Sequence, residues 1–127
     1  MKVLALDYGS ARTGVAVSDP SGMLARPLCV VERAGTEAGL ARLRELVREE
    51  GAERVVVGLP LTLRGTRGEQ ALETERFVEV LRAVVDVPIE TFDERFTTTL
   101  AGPGEGDDAR AAAHLLSSYL EWSSRQS

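Results

Sequence analysis

The chain contains one cysteine, one histidine and one lysine, and aromatic residues make up only 5% of it. A lone Cys29 excludes an internal disulfide framework and is compatible with a reducing, cytoplasmic location; it reads as a small core residue in the strand PLCVV. No apolar run approaches the roughly 20 residues of a membrane span, so no membrane partner is expected. The opening MKVLALDYGS is interrupted at once by Asp7 and Gly9 and reads as a strand, not a signal peptide. The net charge of −5 argues against a generally basic nucleic-acid binder but leaves room for a local basic groove. Lys2 is the only lysine among 15 basic residues. Arginine grips a phosphate with two parallel hydrogen bonds, which lysine cannot do, although a skewed genome composition would give the same bias. A chain of 127 residues, 43% of them hydrophobic, suits one domain (1–127) with a single core.

The hydrophobic pattern divides the chain into eight elements. Residues 2–8 (KVLALDY) form a largely apolar strand of the kind found at the centre of a sheet. A tight turn over Gly9–Arg12 leads to a second strand, TGVAVSD. Asp19-Pro20-Ser21-Gly22 is a strong turn signal, and a third strand runs over 24–32, with Pro27 favouring an edge or a strand start. The period then changes. Residues 36–50 place Leu40, Leu43, Leu46 and Val47 on one helical face, with Thr36 as N-cap and Gly51 as the stop. RVVVG (54–58) is a short strand covered on both faces. A loop follows over 59–68, then a helix over 69–85 with Ala71, Leu72, Phe77, Val80, Leu81 and Val84 facing inward. A fifth strand spans 87–93, and a last helix spans 108–122. The order β-β-β-α-β-α-β-α predicts an α/β fold: a mixed five-stranded sheet flanked by helices, its first strand central, in the arrangement of a ribonuclease H-like fold.

Three acidic motifs stand at the ends of these elements: DYGSARTG (Asp7), DERFTTT (Asp93, Glu94) and DDARAAAHLLSSYL (Asp107, Asp108). A fold that gathers such ends at one edge of its sheet makes a metal-binding cluster. Mg²⁺ and Mn²⁺ prefer oxygen ligands, and metals held by carboxylates can activate water and stabilise a leaving oxygen in phosphodiester hydrolysis. Asp108 shares a helical face with Ala112, Leu115 and Tyr119, and the small Ala111 and Ala112 would let that helix approach the sheet. Each residue also has a local explanation. Asp7 could stabilise its turn, Asp108 could favour the helix dipole, and Asp93 and Glu94 could form a solvated strand end.

Taken in order, LDYGSARTGVAVSD, VVVGLPLTLRGTRGEQA, DERFTTT and DDARAAAHLLSSYLE resemble the YqgF/RuvX-like family of pre-16S rRNA nucleases and Holliday junction resolvases. The resemblance covers nearly the whole chain. It implies a ribonuclease H-like fold, divalent-metal phosphodiester hydrolysis with Mg²⁺ or Mn²⁺, and a cytoplasmic location. Position by position, Asp7 matches the acidic residue ending the first strand, Glu94 the acid of the D-E-R motif, and Asp108 the aspartate preceding the paired alanines. These three are the implied catalytic and metal-holding residues; Asp107 has no such match. The sequence departs from the family between DERFTTT and the last helix. Only LAGPGEG intervenes there, where the family carries a longer segment ending in a basic loop, which implies a weaker grip on nucleic acid or the need for a partner.

Arg12, Arg64, Arg67 and Arg95 fall beside predicted strand ends and are candidate phosphate contacts on an acidic protein. Thr97 and Thr98 could bond the same backbone or cap a short helix. Tyr8 could stack on a base but reads first as a buried ring beside its turn, Tyr119 and Trp122 read as core, and His114 as a surface residue. The leading expectation is a nuclease acting on structured RNA, in 5′-end processing of precursor 16S rRNA. A Holliday junction resolvase would apply the same chemistry to branched DNA and would need a homodimer for two symmetric cuts. A non-catalytic nucleic-acid-binding module is a third reading. DYGSARTG also resembles the phosphate-binding hairpin of the actin/sugar-kinase superfamily, but that architecture needs two such domains to enclose a nucleotide.

Overall fold

A computed structural model describes residues 1–62, 64–96 and 108–126. Five strands, β1 (Val3–Asp7), β2 (Arg12–Ser18), β3 (Ala25–Glu32), β4 (Arg54–Leu59) and β5 (Ile89–Asp93), form one sheet in the order β3-β2-β1-β4-β5. The first strand is central, as its apolar run predicts, and β3, which carries Pro27, lies at an edge. Strands β1–β2 and β2–β3 are antiparallel, whereas β1–β4 and β4–β5 are parallel. The expected mixed α/β sheet is therefore present, with the helices α1 (Glu37–Glu50), α2 (Glu69–Arg82) and α3 (Asp108–Ser124) covering it. Among the described residues no helix is long and apolar enough to cross a membrane.

Alternation along the strands divides the interior into two layers. Leu4, Leu6, Val15, Val17, Val55, Val57 and Ile89 face α1 and α2, and pack with Leu43, Leu46, Phe77 and Leu81. Val3, Ala5, Ala16, Val56 and Phe92 face the other way, against Ala112, Leu115, Leu116 and Tyr119 of α3. Helix α1 begins and ends where the sequence predicts. The Thr36 hydroxyl accepts the Gly39 N–H at 3.2 Å, and Gly51 adopts the left-handed conformation (φ 63°) that closes the last turn. The Asp19 turn also forms: its Oδ1 accepts the N–H groups of Met23 and Leu24 at 2.8 and 2.9 Å.

Three sequence expectations need correction. Leu72 and Val80 are 42% and 47% exposed; the inner face of α2 is instead Ala71, Thr74, Phe77, Val78 and Leu81. The buried stripe is rotated because Thr74 turns inward, its hydroxyl satisfied by donating to the Gln70 carbonyl at 2.9 Å. Trp122 is 39% exposed; it sits near the end of α3 and leans on Phe92 from the rim of the core, with ring centroids 5.7 Å apart. His114 is half-buried rather than a surface residue.

The approach of α3 to the sheet depends on small residues. Gly14 lies on the α3 face of β2, paired with Asp7 of β1. A β-carbon there would overlap the backbone carbonyl of Asp108, the first residue of α3. The helix start and the end of β1 are thereby held together by a contact that only glycine permits. Gly14→Ala is expected to cost about 1–3 kcal/mol through overpacking, read as a lower urea midpoint with an unchanged m-value. A midpoint equal to wild type would contradict this account of the contact.

Candidate active site

Strands β1, β4 and β5 are mutually parallel, so their C-terminal ends share one edge of the sheet. That is the edge at which open α/β sheets bind ligands. Asp7 ends β1 and follows Val3 and Ala5 onto the α3 side. Glu94 follows β5 in a short 3₁₀ turn, Glu94–Phe96.

The neighbours of Glu94 build this turn. Asp93 Oδ1 accepts the backbone N–H of Arg95 at 2.9 Å. The Arg95 guanidinium folds back onto the same carboxylate, with Nε at 3.1 and 2.9 Å from the two oxygens and Nη2 at 2.6 Å from Oδ2. This side-chain pairing with Arg95 holds the Asp93 carboxyl below its usual range. With both flanking side chains bonded to each other, Glu94 is left to turn toward Asp7. Gly58, at the end of β4, makes room for it: a β-carbon there would lie 2.5 Å from Glu94 Oε1 and 3.0 Å from Leu115 Cδ2.

The Asp7 and Glu94 carboxyl groups hydrogen-bond to one another. Burial is the main cause that raises Glu94, the negative charge of Asp7 adds to it, and its pKa reaches about 7. Asp7 is raised as well, first by burial; its bond to Glu94 pulls it down and the charge of Asp108 pushes it up. Two acids in contact and half out of water cannot both ionise cheaply, so they share one proton, carried by Glu94, and titrate as a unit.

Asp108 stands beside this pair. Its Oδ2 is buried and has no hydrogen-bond partner among the described residues. Arg12 Nε lies 3.2 Å from it, close enough for charge attraction without the alignment of a hydrogen bond. Among the described residues no three Asp, Glu, His or Cys side chains stand together as ligands of a single ion. The assembled unit is the Asp7–Glu94 pair, with Asp108 adjacent and turned to Arg12. A shared proton and a buried oxygen without a donor both mark a surplus of acceptors, and such a set fits a hard divalent cation.

The candidate phosphate contacts are distributed differently from a simple rim. Arg95 is engaged with Asp93, and Arg67 Nη1 lies 2.9 and 3.3 Å from the Glu75 oxygens. Arg12 faces Asp108. Arg64 is exposed, and the neighbouring Gly65 (φ 80°) rests on the Arg95 guanidinium. Thr97, Thr98, Asp107 and the short 100–106 connection lie outside the described residues. Tyr8 is half-buried, its ring stacked on Phe77 at 4.2 Å. The turn before β2 is tied by Thr13, whose hydroxyl donates to the Gly9 carbonyl at 3.3 Å.

Sequence reasoning did not single out Gly14, Gly58 or the α2 side chains beside the pair. A cavity of about 330 Å³ opens next to Asp7 and Glu94, with Gln70, Glu73 and Thr74 along one wall. Helical spacing places these three on one side of α2, and strand alternation places both glycines on the Asp7 face, so the signal was present in the pattern.

The folded pair holds a proton that an ordinary glutamate releases near 4.5 and Glu94 releases near 7. Metal-free stability is therefore greatest below the lower value and declines as pH rises through that window. Glu94→Gln keeps a donor and removes the charge. Thermal unfolding in EDTA at about pH 5 and about pH 8 is expected to show the wild type losing stability at the higher pH and the variant losing much less, so that the variant is the more stable of the two there. Equal pH dependence in both proteins would contradict the shared proton.

Comparison with known proteins identifies the family of the chain. Residues 1–122 match the model of the RuvX family, described as Holliday junction resolvase. A protein of Chloroflexus aggregans named "Putative pre-16S rRNA nuclease" is 48% identical over 131 residues, covering 94% of this chain and 92% of its own. One of the same name from Moorella thermoacetica is 41% identical over 133 residues, covering 95% of each chain. Among solved structures, Thermus thermophilus RuvC in complex with a Holliday junction substrate superposes with a TM-score of 0.65 at 18% identity, over 98% of this chain and 96% of the other. That likeness establishes the fold. The chain belongs to the RuvX family.

Proposed function

We propose that this protein hydrolyses phosphodiester bonds with a divalent metal, and that its substrate is structured RNA, the 5′ end of precursor 16S rRNA, in the cytoplasm. The observation that carries the reading is the Asp7–Glu94 pair at the C-terminal sheet edge, two acids in contact and largely buried that share a proton. Asp7, Glu94 and Asp108 would hold Mg²⁺ or Mn²⁺. Bound there, the metal would activate the attacking water and stabilise the leaving oxygen.

The chain's own residues supply the remaining requirements. Arg12 offsets the Asp108 charge before substrate arrives and is exposed enough to meet a phosphate. Arg64, Arg67 and Arg95 border the same sheet edge, with Thr97 and Thr98 next along the chain. Because Arg67 and Arg95 each hold a carboxylate, phosphate contact from them is an exchange of partners with a small net gain. Arg64 and Arg12 are the stronger candidates for direct contact. The relatives' name supports the ribosomal RNA substrate. The family description supports the second reading, resolution of four-way DNA junctions, which requires a two-fold dimer placing two sites on one junction.

Cleavage of a labelled precursor 16S rRNA leader and of a four-way DNA junction, each with Mg²⁺ or Mn²⁺, tests both. The expected outcome is metal-dependent cutting of the RNA, reduced at least about a hundredfold by Asp7→Asn. Preferential cutting of the junction by a dimer would favour the second reading. Cutting unchanged in Asp7→Asn would overturn the carboxylate site.

A further inference from the structure

The cavity beside the carboxylate pair has a far wall, on α2, whose composition does not suit phosphate. It is lined by Asp7, Glu94 and Glu73, with Gln70, Tyr8 and Pro60, and among the described residues no Lys or Arg side chain contributes to it. Beyond the metal-holding pair, a phosphate group would meet the Glu73 carboxylate and, among the described residues, no arginine or lysine. A neutral ligand part rich in hydrogen-bond donors meets complementary acceptors instead. At about 330 Å³ the space lies within the range of small-ligand pockets. The Tyr8 ring is fixed by stacking on Phe77, so it offers a preordered flat surface of the type on which unpaired bases rest.

We propose that this cavity is a nucleobase pocket for a nucleotide next to the scissile phosphate, and that Glu73 makes it selective for guanine. The proposal rests on the nuclease reading above and adds to it a determinant of substrate choice. A carboxylate is an acceptor at both oxygens. The Watson–Crick edge of guanine presents two adjacent donors, N1–H and the N2 amino group, which match those oxygens in parallel. Adenine and cytosine offer one amino donor beside an acceptor nitrogen, which would face the second oxygen with like polarity. Uracil offers one N–H between two carbonyls. Gln70 lies one helical turn before Glu73 on the same side of α2, and its amide can donate to guanine O6. Thr74, buried on that turn and bonded to the Gln70 carbonyl, fixes the wall that carries both. Recognition of this kind needs an unpaired or extruded base, the usual mode of sequence reading in RNA.

The test is binding of a short single-stranded RNA carrying one guanine, compared with the same RNA carrying inosine at that position. Inosine lacks only the N2 amino group. Fluorescence anisotropy in Ca²⁺ is expected to show guanine favoured by about tenfold, the scale of one hydrogen bond to a charged group. Glu73→Gln, a change at an exposed position, is expected to keep the fold and abolish the preference. Equal affinities in the wild type, or a preference that survives Glu73→Gln, would overturn the proposal. Parallel cleavage in Mg²⁺ separates the two readings. Cutting without base preference overturns the pocket alone, and base preference without cutting of any substrate overturns the nuclease reading alone.

Discussion

Asp7 and Glu94 are held in contact in a place where water cannot fully screen them, and much of the surrounding structure exists to keep them there. Asp7 is fixed by the central strand, bonded on one side to β2 and on the other to β4. Glu94 is aimed by the closed Asp93–Arg95 turn and admitted by the missing side chain of Gly58. Asp108 is brought to the same place because α3 can rest its first residue directly on Gly14. Two glycines and one ion pair thus convert three distant segments into one acidic site.

The arginine distribution follows from that concentration of negative charge. An acidic protein acting on an anion must reduce repulsion locally, and here most of the arginines at this edge are already matched to carboxylates: Arg12 to Asp108, Arg95 to Asp93, Arg67 to Glu75. Such pairs keep guanidinium groups ordered near the sheet edge at little energetic cost. They also limit the gain on phosphate binding, because each contact exchanges one anionic partner for another.

Most of the fold could be read from the sequence because its signals were local. Thr36 and Gly51 bound α1 by capping chemistry alone, and the apolar run of β1 identified the central strand. The carboxylates were visible as ends of elements. What the sequence did not disclose depends on contacts between distant segments. No local pattern says that Gly14 receives the backbone of Asp108 or that Gly58 clears space for Glu94. The inward turn of Thr74, which rotates the buried face of α2 and leaves Leu72 and Val80 exposed, depends on an internal hydroxyl–carbonyl bond. Nor does arginine content foretell which guanidinium groups find carboxylates.

Asp7 and Glu94 share a proton in the place a divalent cation would occupy. The most direct measurement is the titration of the Glu94 side-chain carboxyl by ¹³C NMR, first in EDTA and then with Mg²⁺. The account predicts a midpoint of about 7 without metal and a marked downward shift with Mg²⁺, accompanied by proton release. A midpoint in the ordinary glutamate range that Mg²⁺ leaves unmoved would contradict it.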